Sequence, residues 1–282
     1  MNTVWTILSW SLRAMFEGKF PHRDHLGNPY PNRSSEHALA GKPLCEEKKQ
    51  FFSVVWGIKG DLDWFAKGLG LRHYNSMNPC EYCKATRSGT PAIWPTNFAA
   101  GAAWKTQMRT AGEWRAELTA GSFALFKEFE FLSMHNLEAD ELHVLHLGVS
   151  MYCIGSVLWL LVYDALPGSP AANFETIWHV VLVEYAKAPG TTEFTSLSIS
   201  SFIDPEKPFK SYPKLKGRGC EIKSLVSPLL AVLRLHTRPA SAIDGHAVVC
   251  LECLERMQFL IDETKDREPQ APPIHVRPHL VS

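Results

Sequence analysis

Apolar residues along the first part of the chain recur at helical spacing. Trp5, Leu8, Leu12 and Met15 predict an amphipathic helix over 3–16. Residues 18–47 are rich in Gly, Pro, His and Asn and read as a loop. The segment 51–58 (FFSVVWGI) is short, β-branched and aromatic, and predicts a strand. It ends at Lys59-Gly60-Asp61, and a short helix follows to about Gly68. From 73 to 95 Asn, Pro, Gly and Ser break the pattern. Beyond Ala103 helices dominate, with candidates at 104–119, 122–131, 139–166, 173–187, 220–235 and 245–266. Asn173 and Thr176 suggest a cap for the fourth of these, whose stripe is Phe174, Ile177, Trp178, Val181 and Tyr185. Residues 197–203 predict a second strand. The segment 204–219 holds three prolines and five basic residues and is a loop. The Pro-rich tail beyond 269 is expected to be disordered, and no internal repeat is visible.

The run 147–163 is charge-free over 17 residues, short of the roughly 20 that cross a bilayer. Histidines precede it, Asp164 closes it, and no basic flank sets an orientation. A buried core helix is expected, and no membrane partner. Exposure of this run would instead indicate a helical membrane-associated protein.

With 282 residues, 45% hydrophobic and 21% charged, the chain can bury a substantial core, which excludes wholesale disorder. Lys+Arg and Asp+Glu both total 29. Contact with nucleic acid therefore requires a local basic patch rather than bulk charge. The odd count of seven cysteines and the lack of a secretory signal point to a reduced, nuclear or cytoplasmic chain.

Four places carry candidate chemistry. Asp61 stands where a strand ends and a helix begins, suiting either a ligand-facing carboxylate or a helix cap. His73, Cys80 and Cys83 form a His-x6-Cys-x2-Cys run whose thiolates can grip one structural Zn²⁺ across a Pro/Asn turn, with His143 and His146 as possible distant ligands. A metal-free turn is the alternative, and the second pair, Cys250/Cys253, lies in a helical pattern and reads as packing. Asp140 and His143, followed by His146, fall three residues apart on one predicted helix face, where imidazole can orient a carboxylate or bind metal, or can fill the core. Finally, Lys214, Lys216, Arg218 and Lys223 surround a helix start with Glu221 in its first turn. This suits phosphate contact or a solvated surface.

Taken in order, Gly60-Asp61, Gly70-Leu71-Arg72-His73, Cys80-x2-Cys83 and Asp140-x2-His143 resemble eukaryotic cut-and-paste transposases. The nearest are the CACTA type and related large protist and fungal elements. The resemblance covers roughly 50–235. It implies a partial ribonuclease-H-like core, α/β leaning mostly α, with a small zinc-type insertion and a large helical portion. Three regions follow: helix plus irregular segment to 50, core over 51–268, and tail over 269–282. Within the core a knuckle occupies 73–95 and a mainly helical insertion 103–200. Asp61 is then the second catalytic carboxylate, Glu221 the third, and Asp140 with His143 the supporting signature; Glu184 and Glu193 are other late acids. The activity implied is DNA cleavage and strand transfer with Mg²⁺, with DNA and a second copy of the chain as partners. No strand upstream carries the family's first aspartate, since Asp24 lies in a Gly/Pro/His loop, so an inactive remnant is expected. A zinc-stabilised DNA- or protein-binding module is the alternative.

Overall fold

The computed structural model describes residues 2–45, 53–118, 126, 129, 131–187 and 192–265. It is mostly helical and divides into two units, Met1–Asp140 and Glu141–Ser282.

The first unit begins with α1 (Asn2–Glu17), as its periodicity predicts, and a loop carrying α2 (Ser35–Leu39) follows. The expected strand over 51–58 is corrected. Residues 53–57 are irregular, 51–52 lie outside the described residues, and β1 is only Ile58–Gly60. Its partner is β2 (Leu137–Ala139), which pairs in parallel with Ile58 opposite Leu137 and Gly60 opposite Ala139. No hydrophobic pattern announces β2, because three residues are too few to show a period. Helix α3 (Leu62–Leu69) ends at Gly70, which adopts the left-handed conformation at φ 64° that a side chain disfavours.

The helix expected over 104–119 is also corrected, to a single 3-10 turn at Ala103–Lys105 and α4 (Ala111–Ala116). Thr110 and Glu113 form a reciprocal capping box that fixes the α4 start well inside the predicted span. Most of the helix expected at 122–131 lies outside the described residues. Phe65, Leu69, Trp114, Phe126, Phe129, Leu132, Met134 and Leu137 form the core of this unit. Arg115 gathers the carbonyls of Phe126, Phe129 and Leu132 on one guanidinium.

The second unit is built on α5 (Leu142–Ala165), whose ends, Leu142–Ser150 and Leu161–Ala165, are wound as π-helix around an α-helical middle. The prediction placed Asp140 inside this helix. Asp140 instead precedes it, because its amide bonds to Gly60 O at 2.8 Å and extends the ladder. Long and apolar enough to cross a membrane, α5 has half of its most apolar window buried within the unit. Ile154, Val157, Leu158, Leu161 and Val162 join a core with α6 (Pro170–Lys187), α7 (Gly219–His236) and α8 (Ala242–Lys265).

Helix α6 begins at Pro170, where a missing N–H costs nothing, so the expected Asn173/Thr176 cap is corrected. Asn173 is buried one turn into the helix. Its amide donates to the carbonyls of Val162, Leu166 and Gly168 at 2.8–3.1 Å and accepts from Gly168 N. The strand expected over 197–203 is a 3-10 turn, Ile199–Ser201. The Ser198 and Ser201 side chains close it by local hydrogen bonds that compete with extended backbone. The loop 204–219 is as predicted and lies on α5. Lys214 N and Leu215 N bond to Phe202 O and Met151 O, and a Cβ on Gly155 would crowd that backbone at 3.0 Å. The tail beyond 265 lies outside the described residues.

Candidate functional site

The parallel pair β1–β2 brings two of the predicted acids together. With Gly60 opposite Ala139 and Asp140 N bonded to Gly60 O, Asp61 and Asp140 are the next positions on neighbouring strands. Parallel strands lie about 4.8 Å apart, so both residues stand side by side at the carboxyl ends, where open parallel sheets place ligands. Asp61 also caps α3: its backbone is extended and its Oδ1 accepts Trp64 N at 2.6 Å. Of its two expected roles, the cap is the one observed for Asp61. A cleft of about 240 Å³ opens beside the strand ends, lined by Leu62, Ala139, Arg72, Cys80, Glu81 and Tyr82.

The wall of this cleft is an ionic network that local sequence spacing does not reveal. Glu81 accepts Arg72 N at 2.6 Å, Arg72 Nη1 at 2.8 Å and Trp114 Nε1 at 2.6 Å. Arg72 also pairs with Glu117, which holds Arg109 at 2.5 Å, and Arg109 Nε donates to Cys83 O at 3.0 Å. Its members lie up to 45 positions apart; Arg72 and Glu81 fall within the motifs at 70–73 and 80–83, but nothing local to either pairs them.

Cys80 and Cys83 lie on one irregular turn. Cys83 N–H donates to Cys80 Sγ at 3.4 Å, and Cys83 forms a bridge with Met108. Burial pushes the Cys83 thiol up. His73 is engaged elsewhere: its Nδ1 accepts Asn75 N at 3.1 Å, its Nε2 lies 3.4 Å from Asp63 Oδ1, and its ring packs on Tyr74. Two thiols on one turn fit half of a tetrahedral zinc site. Among the described residues, no three His, Cys, Asp or Glu are grouped to hold a metal.

The second unit contains the remaining predicted residues. His143 is exposed on α5, whereas His146 is buried with Nε2 3.4 Å from Glu141 Oε1. Glu221 closes the capping box of α7, accepting Arg218 N and Arg218 Nη2 at 2.8 Å each. Those Arg218 bonds hold its carboxyl below the usual range. Lys223 reaches both Asp262 oxygens at 2.7 Å, Lys216 Nζ donates to Ser200 O at 3.3 Å, and Lys214 Nζ lies 5.5 Å from the Tyr152 ring centre. The basic residues therefore have partners of their own. Of the other late acids, Glu184 pairs with Lys187 at 2.6 Å. No protein-family model, curated protein or solved structure matches the chain.

Proposed function

We propose that the chain is a transposon-derived, ribonuclease-H-like remnant that keeps a divalent-cation-binding pair, Asp61 and Asp140, but does not cut DNA. The observation that carries this reading is their adjacency at the carboxyl ends of two parallel strands. Carboxylates brought close together repel one another, and a shared cation relieves that repulsion. A carboxylate that accepts one capping N–H still has lone pairs for a metal. When bound, Mg²⁺ would polarise a phosphate oxygen and lower the pKa of a bound water. Glu221 is engaged by Arg218, and two carboxylates alone hold a pair of metal ions poorly. Misplacement of about 1 Å costs on the order of 10²-fold in rate.

Electron paramagnetic resonance should detect Mn²⁺ bound weakly by the purified chain. Asp61→Asn and Asp140→Asn should each release it, while Glu221→Gln should not. Absence of any bound Mn²⁺ would remove the aspartate pair from consideration. Nicking of supercoiled DNA by the chain, lost in Asp61→Asn, would overturn its inactivity.

The Cys83 N–H to Cys80 Sγ contact favours a second reading, a zinc-stabilised binding module. About one zinc per chain is expected for that reading. Zinc content unchanged in the Cys80→Ser/Cys83→Ser double variant would reject it.

A further inference from the structure

Cys153 on α5 and Cys250 on α8 line the same cleft of about 460 Å³, between Trp159, Leu160, Ile243 and His246. The two helices pack against each other, which places Cys153 and Cys250 on adjoining walls of that cleft. Cys153 is half-buried, and Cys250 is exposed, as is Cys253 one turn later on α8. The core packing expected for Cys250 and Cys253 is therefore corrected, since both are exposed, and helix geometry excludes a bond between them. Residues three apart on a helix hold their Cβ atoms about 5–6 Å apart, whereas a disulfide needs about 3.5–4.5 Å. Cys153, on the facing helix, has no such restriction.

We propose that Cys153 and Cys250 form a redox-modification site, a reversible disulfide that staples α5 to α8 on exchange with a small-molecule disulfide such as oxidised glutathione. Cys250, the exposed partner, attacks as thiolate. Its sulfur bonds to one sulfur of the small disulfide and expels the first small thiolate, which takes up a proton. Cys153 then loses its proton to solvent and attacks the Cys250 sulfur, expelling the second small thiolate. Two protein thiols are oxidised, and one small disulfide is reduced to two thiols. Burial and the neighbouring Cys250 push the Cys153 thiol up to about 11, so Cys153 resolves rather than initiates. Because the two residues are nearly a hundred positions apart, the cross-link removes much of the freedom of the unfolded chain.

The test equilibrates the full reduced chain with oxidised and reduced glutathione in varied ratio, then traps thiols by acid quench and alkylation for peptide mapping. The expected product is a Cys153–Cys250 cross-linked peptide, reversed by dithiothreitol and formed equally in Cys253→Ser. It should be absent from Cys153→Ser and Cys250→Ser. Oxidation should raise the melting midpoint of the wild type by about 5–10 °C and leave the folded Cys153→Ser variant unmoved. A Cys250–Cys253 cross-link, glutathione retained on Cys250 without resolution, or Cys153 pairing only in urea would each overturn the proposal.

Discussion

The Trp64 indole lies against Gly60, so that a Cβ added there would fall well inside van der Waals contact of the ring and 3.1 Å from Phe65 Cε1. The glycine of the Gly-Asp pair is therefore a packing requirement, because α3 turns back at once onto the strand it follows. Gly60→Ala should cost about 1–3 kcal/mol through overpacking and displace the Asp61 cap. Urea denaturation measures the first effect. Loss of Mn²⁺ binding in a still-folded Gly60→Ala would show that the carboxylate position depends on this contact. A variant as stable as wild type would mean that Trp64 swings away freely.

Asn173 should be among the costliest polar residues of the second unit. Its one side chain serves three carbonyls and one amide at the turn between α5 and α6. Asn173→Ala leaves the buried Val162 carbonyl and the part-buried groups of Leu166 and Gly168 without this partner, at about 2–3 kcal/mol. Asn173→Asp should do no better, since a carboxylate has no N–H for the carbonyls. Stability of Asn173→Asp within about 0.5 kcal/mol of wild type would contradict this accounting.

These two positions show what local pattern conveys and what it does not. Helices α3, α7 and α8 were legible because each buries a stripe at helical spacing or starts at a recognisable turn, and α1 was legible from spacing although Leu8 on its stripe is exposed. The sheet was displaced: β-branched and aromatic content at 51–58 indicated a strand, but pairing is set by where Leu137–Ala139 reaches the chain, at Ile58. Asp61 was legible as a strand-end acid, and Asp140 as part of a motif. Their adjacency was not, because the partner strand is three residues long and its paired positions are 79 residues away. Asn173 was read as a cap because Asn favours caps. Tertiary partners on the preceding turn decided otherwise.

Stability should fall in acid through Asp244. This buried carboxylate accepts Arg238 N, Nε and Nη2 at 2.7–2.9 Å and Ser241 Oγ at 2.7 Å. Arg238 foremost holds it well below the usual carboxylate range. A folded-state value below the unfolded one contributes stability that is present above about pH 4 and lost as pH falls toward the folded value. Melting midpoints of wild type and Asp244→Asn should thus converge from pH 5 downward, with wild type higher at neutral pH. Parallel curves down to pH 2 would exclude this group as the source of acid sensitivity.

The basic loop makes the last prediction, and its sign is unusual. Arg218 is held by Glu221 and Lys223 by Asp262, so DNA phosphates compete with carboxylates already in place. Releasing a partner should strengthen binding if the loop is the contact surface. In Glu221→Gln, Arg218 becomes available and adds about one phosphate contact, steepening the slope of log affinity against log salt by about 0.9. The same change loses the charged half of the α7 capping box, so a cost of about 1 kcal/mol in stability accompanies it. Lys214→Glu with Lys216→Glu should have the opposite effect on affinity and leave the cap intact. Fluorescence anisotropy with a labelled duplex between 50 and 200 mM salt measures both slopes. If Glu221→Gln weakens binding while Lys214→Glu/Lys216→Glu leaves it unchanged, the loop is a solvated surface and any DNA contact lies elsewhere on the chain.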